Sequence, residues 1–184
     1  FERLSALLPA ETRLVLEGQT RPGDQGPRFA GQLDLSSADL RGLLAWLDAA
    51  PSGVAAGRLR NFALRSRIEG DARGFALEGL AARLDETEAK GTLAIFLGPR
   101  PRFEADLTAD AIDFDSYLPS APETAAKRDQ ATVNVDALAA LAPLAGVDGL
   151  LKLALGRAIL RGQEITGARL ALTLEAGDLR LERL

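Results

Sequence analysis

The stretch NFALRSRIEGDARGFALEGLAARLDETEAKGTLAIFL, residues 61–97, decides the fold class. Phe62, Leu64 and Ile68 alternate with the polar Asn61, Arg65, Arg67 and Glu69. A period of two buries one face of a strand and leaves the other wet. Asp71 to Gly74 reads as a hairpin turn, Phe75 to Leu84 as the returning strand, Asp85 to Lys90 as a charged turn, and Gly91 to Leu97 as a third strand. Leu, Ala and Arg are good helix formers, so propensity alone favours helix here; the period overrules it.

Working outward, Arg13 to Glu17 reads as a strand and Gln19 to Arg28, with two Gly and two Pro, as a loop. Phe29, Gly31, Leu33 and Leu35 alternate with Ala30, Gln32 and Asp34, which is again strand period. Ser36 and Asp39 suit a capping box ahead of Leu40, Leu43, Leu44 and Leu47, whose spacing predicts an amphipathic helix. Leu4, Leu7 and Leu8 suit a short helix before Pro9, and Asn134 suits the cap of another carrying Val135, Leu138 and Leu141. Three strands follow, centred on Leu151/Leu153/Leu155, Leu170/Leu172/Leu174 and Leu179/Leu181. The expected class is mainly β (α+β). The expected architecture is a curved antiparallel sheet or groove of two related strand–helix–strand-meander repeats, with two or three short amphipathic helices.

The repeat is visible in the residues. Phe29, Leu33, Asp39, Leu40 and Leu44 recur as Phe103, Leu107, Asp113, Phe114 and Leu118 at a constant offset of 74 (29 to 103). Leu77-x-Gly79 recurs as Ile165-x-Gly167. Gly91-x-Leu93-x-Ile95 recurs as Gly177-x-Leu179-x-Leu181. The division expected is a first repeat over 1–118, a linker rich in Pro, Ala and charge over 119–131, and part of a second repeat over 132–184.

The chain has 184 residues, no Cys, no His and no Met. With no Met it reads as a piece of a longer protein, so any leader or anchor lies outside it. Missing His and Cys remove the Ser-His-Asp triad, thiol nucleophiles and zinc sites. No phosphate loop has the required glycine spacing. A net charge of −4 argues against a nucleic-acid partner. Asp110, Asp113 and Asp115 lack the glycine and distal Glu of a calcium loop and read as turn caps. Asp85, Glu86 and Glu88 read as a solvated turn, and Arg58, Arg60, Arg65 and Arg67 as a solvated strand face rather than an anion patch. Catalytic, cofactor and metal residues are therefore expected to be none. A carbohydrate-processing enzyme using Asp113 and Asp115 is the remaining enzymatic reading.

Apolar strand positions outnumber what the helices can cover, and a sheet must bury its apolar face against something. The candidate groove residues are Phe62, Leu64, Ile68, Leu93, Ile95, Phe103, Leu107, Leu170, Leu172, Leu179 and Leu181, with Trp46 as a possible contact. Each acyl CH₂ sheltered on such a face gains about 0.8 kcal/mol.

From 29 to 119 the chain resembles the AsmA family of bacterial envelope proteins. The resemblance rests on FAGQLDL (29–35), Asp39-Leu40-Arg41 running into Ala45-Trp46-Leu47, Leu80 to Asp85, Lys90 to Leu93, Pro99 to Phe103 and Ile112 to Pro119. The tail from Val147, with Gly149, Gly162, Gly177 and Leu179 to Leu184, is similar to the family's next repeat. The resemblance implies a non-enzymatic periplasmic module, tethered to the inner membrane by a segment outside this chain, that supports outer-membrane biogenesis. It implies phospholipid or another acyl-chain ligand in an apolar β groove. A scaffold for envelope proteins, assisting outer-membrane protein assembly through edge strands or Trp46, is the alternative.

Overall fold

The computed structural model describes residues 3–23, 26–49, 54–117 and 146–183. These form one ten-stranded sheet in which spatial order follows chain order throughout. The strands are β1 (Arg3–Leu8), β2 (Thr12–Arg21), β3 (Arg28–Ser37), β4 (Phe62–Asp71), β5 (Gly74–Leu84), β6 (Thr87–Phe96), β7 (Arg102–Asp113), β8 (Asp148–Leu160), β9 (Gln163–Glu175) and β10 (Asp178–Arg183). Every neighbouring pair is antiparallel except β7 with β8, which run parallel. Between β7 and β8 the chain therefore returns to the end of the sheet from which β7 set out, as a parallel pair requires.

Two expectations are corrected. The sheet is mixed, not antiparallel. The described residues hold one α-helix, α1 (Leu40–Trp46), plus a 3-10 turn at Phe114–Ser116, so the fold is nearly all β and not an α+β arrangement with several amphipathic helices. The expected helix at Leu4–Leu8 is strand β1, in register with β2 from Leu8↔Thr12 to Arg3↔Glu17. Its Leu spacing suits a helix, but Ala10 and Glu11 both adopt positive φ and fold the chain straight back, so pairing wins over propensity. The helix expected at Val135, Leu138 and Leu141 and the linker over 119–131 lie outside the described residues.

α1 begins where expected, but not by a capping box. Asp39 makes no side-chain cap bond; instead the Leu40 and Arg41 amides donate to the Arg60 and Leu59 carbonyls at 2.9 and 2.8 Å. The recurring residues hold like positions up to that point. Phe29 and Phe103 sit in β3 and β7, while Leu40 opens α1 and Phe114 opens the 3-10 turn. The pattern then diverges, since β4 is antiparallel to β3 and β8 parallel to β7.

The second recurring motif marks one bulge and one break in pairing without a change of register. In β5 the pairing jumps from Arg65↔Ala81 to Arg67↔Glu78, so Ser66 faces an extra residue, Gly79, at φ +59. Ser66 Oγ donates toward the Arg67 and Glu78 carbonyls at 2.9 and 3.0 Å and clamps the irregularity. The added residue resets the alternation, so Leu77 and Leu80, three apart, are both buried. Between β8 and β9 the pairing skips Gly156 and Gly167, the latter at φ +64, and Leu155 and Ala158 join one buried cluster with Ala109. Gly91 and Gly177 are not equivalent: the first lies inside β6, the second in the β9–β10 turn.

Candidate functional site: an apolar sheet face without a second layer

Cross-strand register assigns the alternating side chains to two faces. One row on the apolar face runs Ala6, Leu14, Leu35, Leu64, Ala82, Ala89, Ala109, Leu155 and Ala168, from β1 to β9. The next carries Leu4, Leu16, Leu33 and Ser66, and beyond the bulge Leu80, Gly91, Leu107, Leu153 and Leu170. A third runs Gly18, Gly31, Ile68, Leu77, Leu93, Ala105, Leu151, Leu172 and Leu181. The outermost holds Phe29, Gly70, Phe75, Ile95, Phe103, Gly149, Leu174 and, by backbone register, Leu179. With Phe62 opposite Ser37, all eleven strand residues singled out from the sequence hold positions on this one face. Sequence reading missed Leu4, Leu14, Leu16, Leu33, Leu35, Leu77, Leu80, Leu151 and Leu153 as members. Alternation at Leu14/Leu16 and Leu33/Leu35 was the signal available for the β2 and β3 positions.

Most of these side chains are half-buried, whereas the alternating positions are largely exposed. Extensive contacts among the described elements run only between neighbouring strands and between β8 and the 3-10 turn. The described strands form a single sheet, so no second described sheet is stacked on the apolar face, and the one described α-helix is the seven-residue α1, which buries Leu43. Its burial comes from neighbours within the rows, and fully buried members are few: Leu77, Leu80, Ala105, Ala109, Leu155, Ala158 and Leu174 among them.

The two ends of the face differ. At one end the rings of Phe29 and Phe103 lie over glycines: a Cβ at Gly18 or Gly31 would meet Phe29 Cζ at 2.8 Å, and one at Gly149 would strike the Phe103 ring. Glycine here frees floor area for aromatic cover. The other end is polar. Thr12 Oγ1 donates to Ser37 Oγ at 2.9 Å, and Ser37 Oγ donates to the Ala10 carbonyl at 3.2 Å.

Beside them Asp85, at φ +51 and 8% exposed, anchors two segments. Its carboxylate accepts the Leu59, Arg60 and Asn61 amides at 2.9, 2.9 and 3.1 Å and the Tyr117 hydroxyl at 2.9 Å. Burial alone would raise the Asp85 carboxyl; the Arg60 amide, the Tyr117 hydroxyl and the Leu59 and Asn61 amides outweigh it and hold it below the ordinary range. The Tyr117 phenol is pushed up to about 12 by burial first and then by its bond to Asp85. Arg58 stacks on the Tyr117 ring, donates to Ser116 Oγ at 2.9 Å and pairs with Glu86.

The acidic triplet is spent on backbone and turn groups. Asp110 accepts the Glu88 amide at 3.0 Å, Asp113 the Ser116 hydroxyl at 2.6 Å, and Asp115 the Arg161 and Gly162 amides at 2.6 and 2.7 Å. No three or more metal-ligating side chains converge among the described residues. Trp46 ends α1 and is 57% exposed. Among the described residues no helix is long and apolar enough to cross a membrane. Comparison with family models, curated proteins and solved structures returned no match.

Proposed function

We propose that this chain is a non-enzymatic lipid-handling module, in which acyl chains lie against the apolar sheet face while the opposite polar face meets water. The observation that carries this reading is the set of apolar rows crossing the sheet from β1 to β10, with no second described sheet over them and only one short described helix in the fold. Ten strands at about 4.8 Å spacing make a strip roughly 43 Å long, ample for a phospholipid tail. At about 0.8 kcal/mol per methylene, a tail needs no specific hydrogen bond to be held there. The resemblance to AsmA proteins supplies the context: a periplasmic module, tethered to the inner membrane through a segment outside this chain, serving outer-membrane biogenesis.

The test is extraction of lipid from the purified chain followed by mass spectrometry, alongside a Leu107→Glu/Leu172→Glu variant whose fold is checked by circular dichroism. Phospholipid in the parent and its loss in the folded variant support the reading. Absence of phospholipid from the parent refutes it. A second reading, a docking scaffold for envelope proteins, is favoured by the exposure of Leu7 (86%) on edge strand β1 and of Trp46. Photo-crosslinkers at Trp46 and Arg65 separate the two, with protein adducts favouring the scaffold and lipid adducts the groove.

A further inference from the structure

The polar face carries a concavity of its own. A trough of about 590 Å³ crosses β1 to β6, its floor formed by the small side chains of Ser36, Ala63 and Ala81. Two of its cations are neutralised in place: Arg3 pairs with Glu17 at 3.2 Å and Arg65 with Asp34 at 2.7 Å. The other three, Arg13, Arg83 and Lys90, have no carboxylate partner among the described residues. Arg83 spends only Nε, on the Asp85 carbonyl at 3.2 Å. Glu88 is the one further acid in the lining. Five cations against three acids thus gather in a chain whose net charge is −4. Charge of one sign, concentrated in a concavity against the sign of the whole molecule, marks a site for the opposite ion.

The register spaces these groups. Arg13, Ser36, Ala63, Arg83 and Glu88 form one cross-strand row, so Glu88 stands opposite Arg83, and Lys90 stands opposite Ala81 in the next. Arg13 and Arg83 are three strands apart, about 14 Å at the backbone. Long side chains thus flank a floor of small residues, Ser36 and Ala63. Guanidinium forks match phosphate oxygens in bidentate fashion, and an ammonium adds a point charge. The trough is larger than one phosphate group.

We propose that this trough binds a phosphate-bearing ligand, with Arg13 and Arg83 gripping it from opposite sides and Lys90 completing the charge. The site is on the face away from the acyl rows and stands without the lipid reading.

The experiment titrates the whole chain with inorganic pyrophosphate by calorimetry. It compares the parent, Arg13→Gln/Arg83→Gln, and a charge-matched control in the other half of the sheet, Arg157→Gln/Arg161→Gln. The expected result is saturable, salt-sensitive binding that weakens about tenfold or more in the first variant and less than about twofold in the control. No binding by the parent, or equal weakening in both variants, overturns the proposal. Flotation with phosphatidylcholine vesicles, with and without phosphatidylglycerol, distinguishes the source. Capture by the anionic vesicles that is lost in Arg13→Gln/Arg83→Gln points to a lipid headgroup; pyrophosphate binding without capture points to a soluble phosphate. Recovery of no lipid from the apolar face leaves this result unaffected.

Discussion

Replacing Asp85 with Ala strips the acceptor from four donors at once: the amides of Leu59, Arg60 and Asn61 and the Tyr117 hydroxyl. At about 1 kcal/mol for each bond lost in a buried setting, the loss is about 4 kcal/mol. A residue without a polar side chain also sits poorly at the positive φ that Asp85 adopts, adding about 1 kcal/mol. In a chain of this size each kcal/mol moves the melting temperature by about 2–4 °C, so Asp85→Ala should melt more than about 10 °C below the parent. Asp85→Asn keeps one acceptor and tolerates the backbone conformation, and should lie about halfway between. Tyr117→Phe deletes one donor and should cost about 1 kcal/mol.

The pH dependence has a definite sign. The carboxyl is lowered in the folded protein, so its contribution is complete above the unfolded value of about 3.9 and fades as pH falls through the lower folded value. The gap between parent and Asp85→Asn should therefore hold steady from pH 5 upward to neutrality and narrow below about pH 4. Thermal and urea melts followed by circular dichroism read both effects. An Asp85→Ala protein that melts within 2 °C of the parent would refute the keystone role, as would a gap that widens in acid.

The one tyrosine of the chain is Tyr117. Its phenolate absorbance should rise near pH 12 in the folded protein and near 10 in urea, and Asp85→Asn should bring the folded value down. Stability linked to the raised phenol is present below pH 10 and lost between 10 and 12. Gly79→Ala should cost only about 1 kcal/mol, because nothing lies within 4 Å of a Cβ there and the penalty is backbone strain alone. Gly91→Ala should be far worse, about 3 kcal/mol or more, because its Cβ would strike the Asp106 carbonyl oxygen. Urea titrations of the two variants test that order. Trp46, the only tryptophan, should show solvent-like emission and free quenching by iodide, unchanged when lipid is loaded on the sheet.

The sequence spoke clearly wherever the two faces differ in chemistry. In β4, arginines and a glutamate alternate with Phe62, Leu64 and Ile68, and no helical arrangement separates those sets. In β1 both faces carry leucines, Leu4 and Leu8 on one and Leu7 on the other, so periodicity was silent and helix propensity misled. The parallel pairing of β7 with β8 was invisible because side-chain alternation is the same for both strand directions. Recurrence of Leu77-x-Gly79 at Ile165-x-Gly167 was legible as a repeat. Its meaning, a left-handed glycine that interrupts the ladder and at Gly79 also shifts the register, needed the strand pairing. The basic trough was hidden for the same reason, since Arg13 lies 70 positions before Arg83 and the two line one trough only once β2 to β6 are aligned.

The one parallel pair among the described strands also bears on the order of assembly. Partners in β7 and β8, such as Arg102 and Asp148, are separated by 46 positions, while β8–β9 and β9–β10 close through two-residue turns. Closing the longer loop costs about 2–3 kcal/mol more in chain entropy. The β8–β10 ribbon therefore zips up by itself and joins the β1–β7 meander as a late, slow step, because non-local pairing retards folding. Native-state hydrogen exchange should show the seam at β7–β8 opening as a unit, with the three final strands released together before the meander frays.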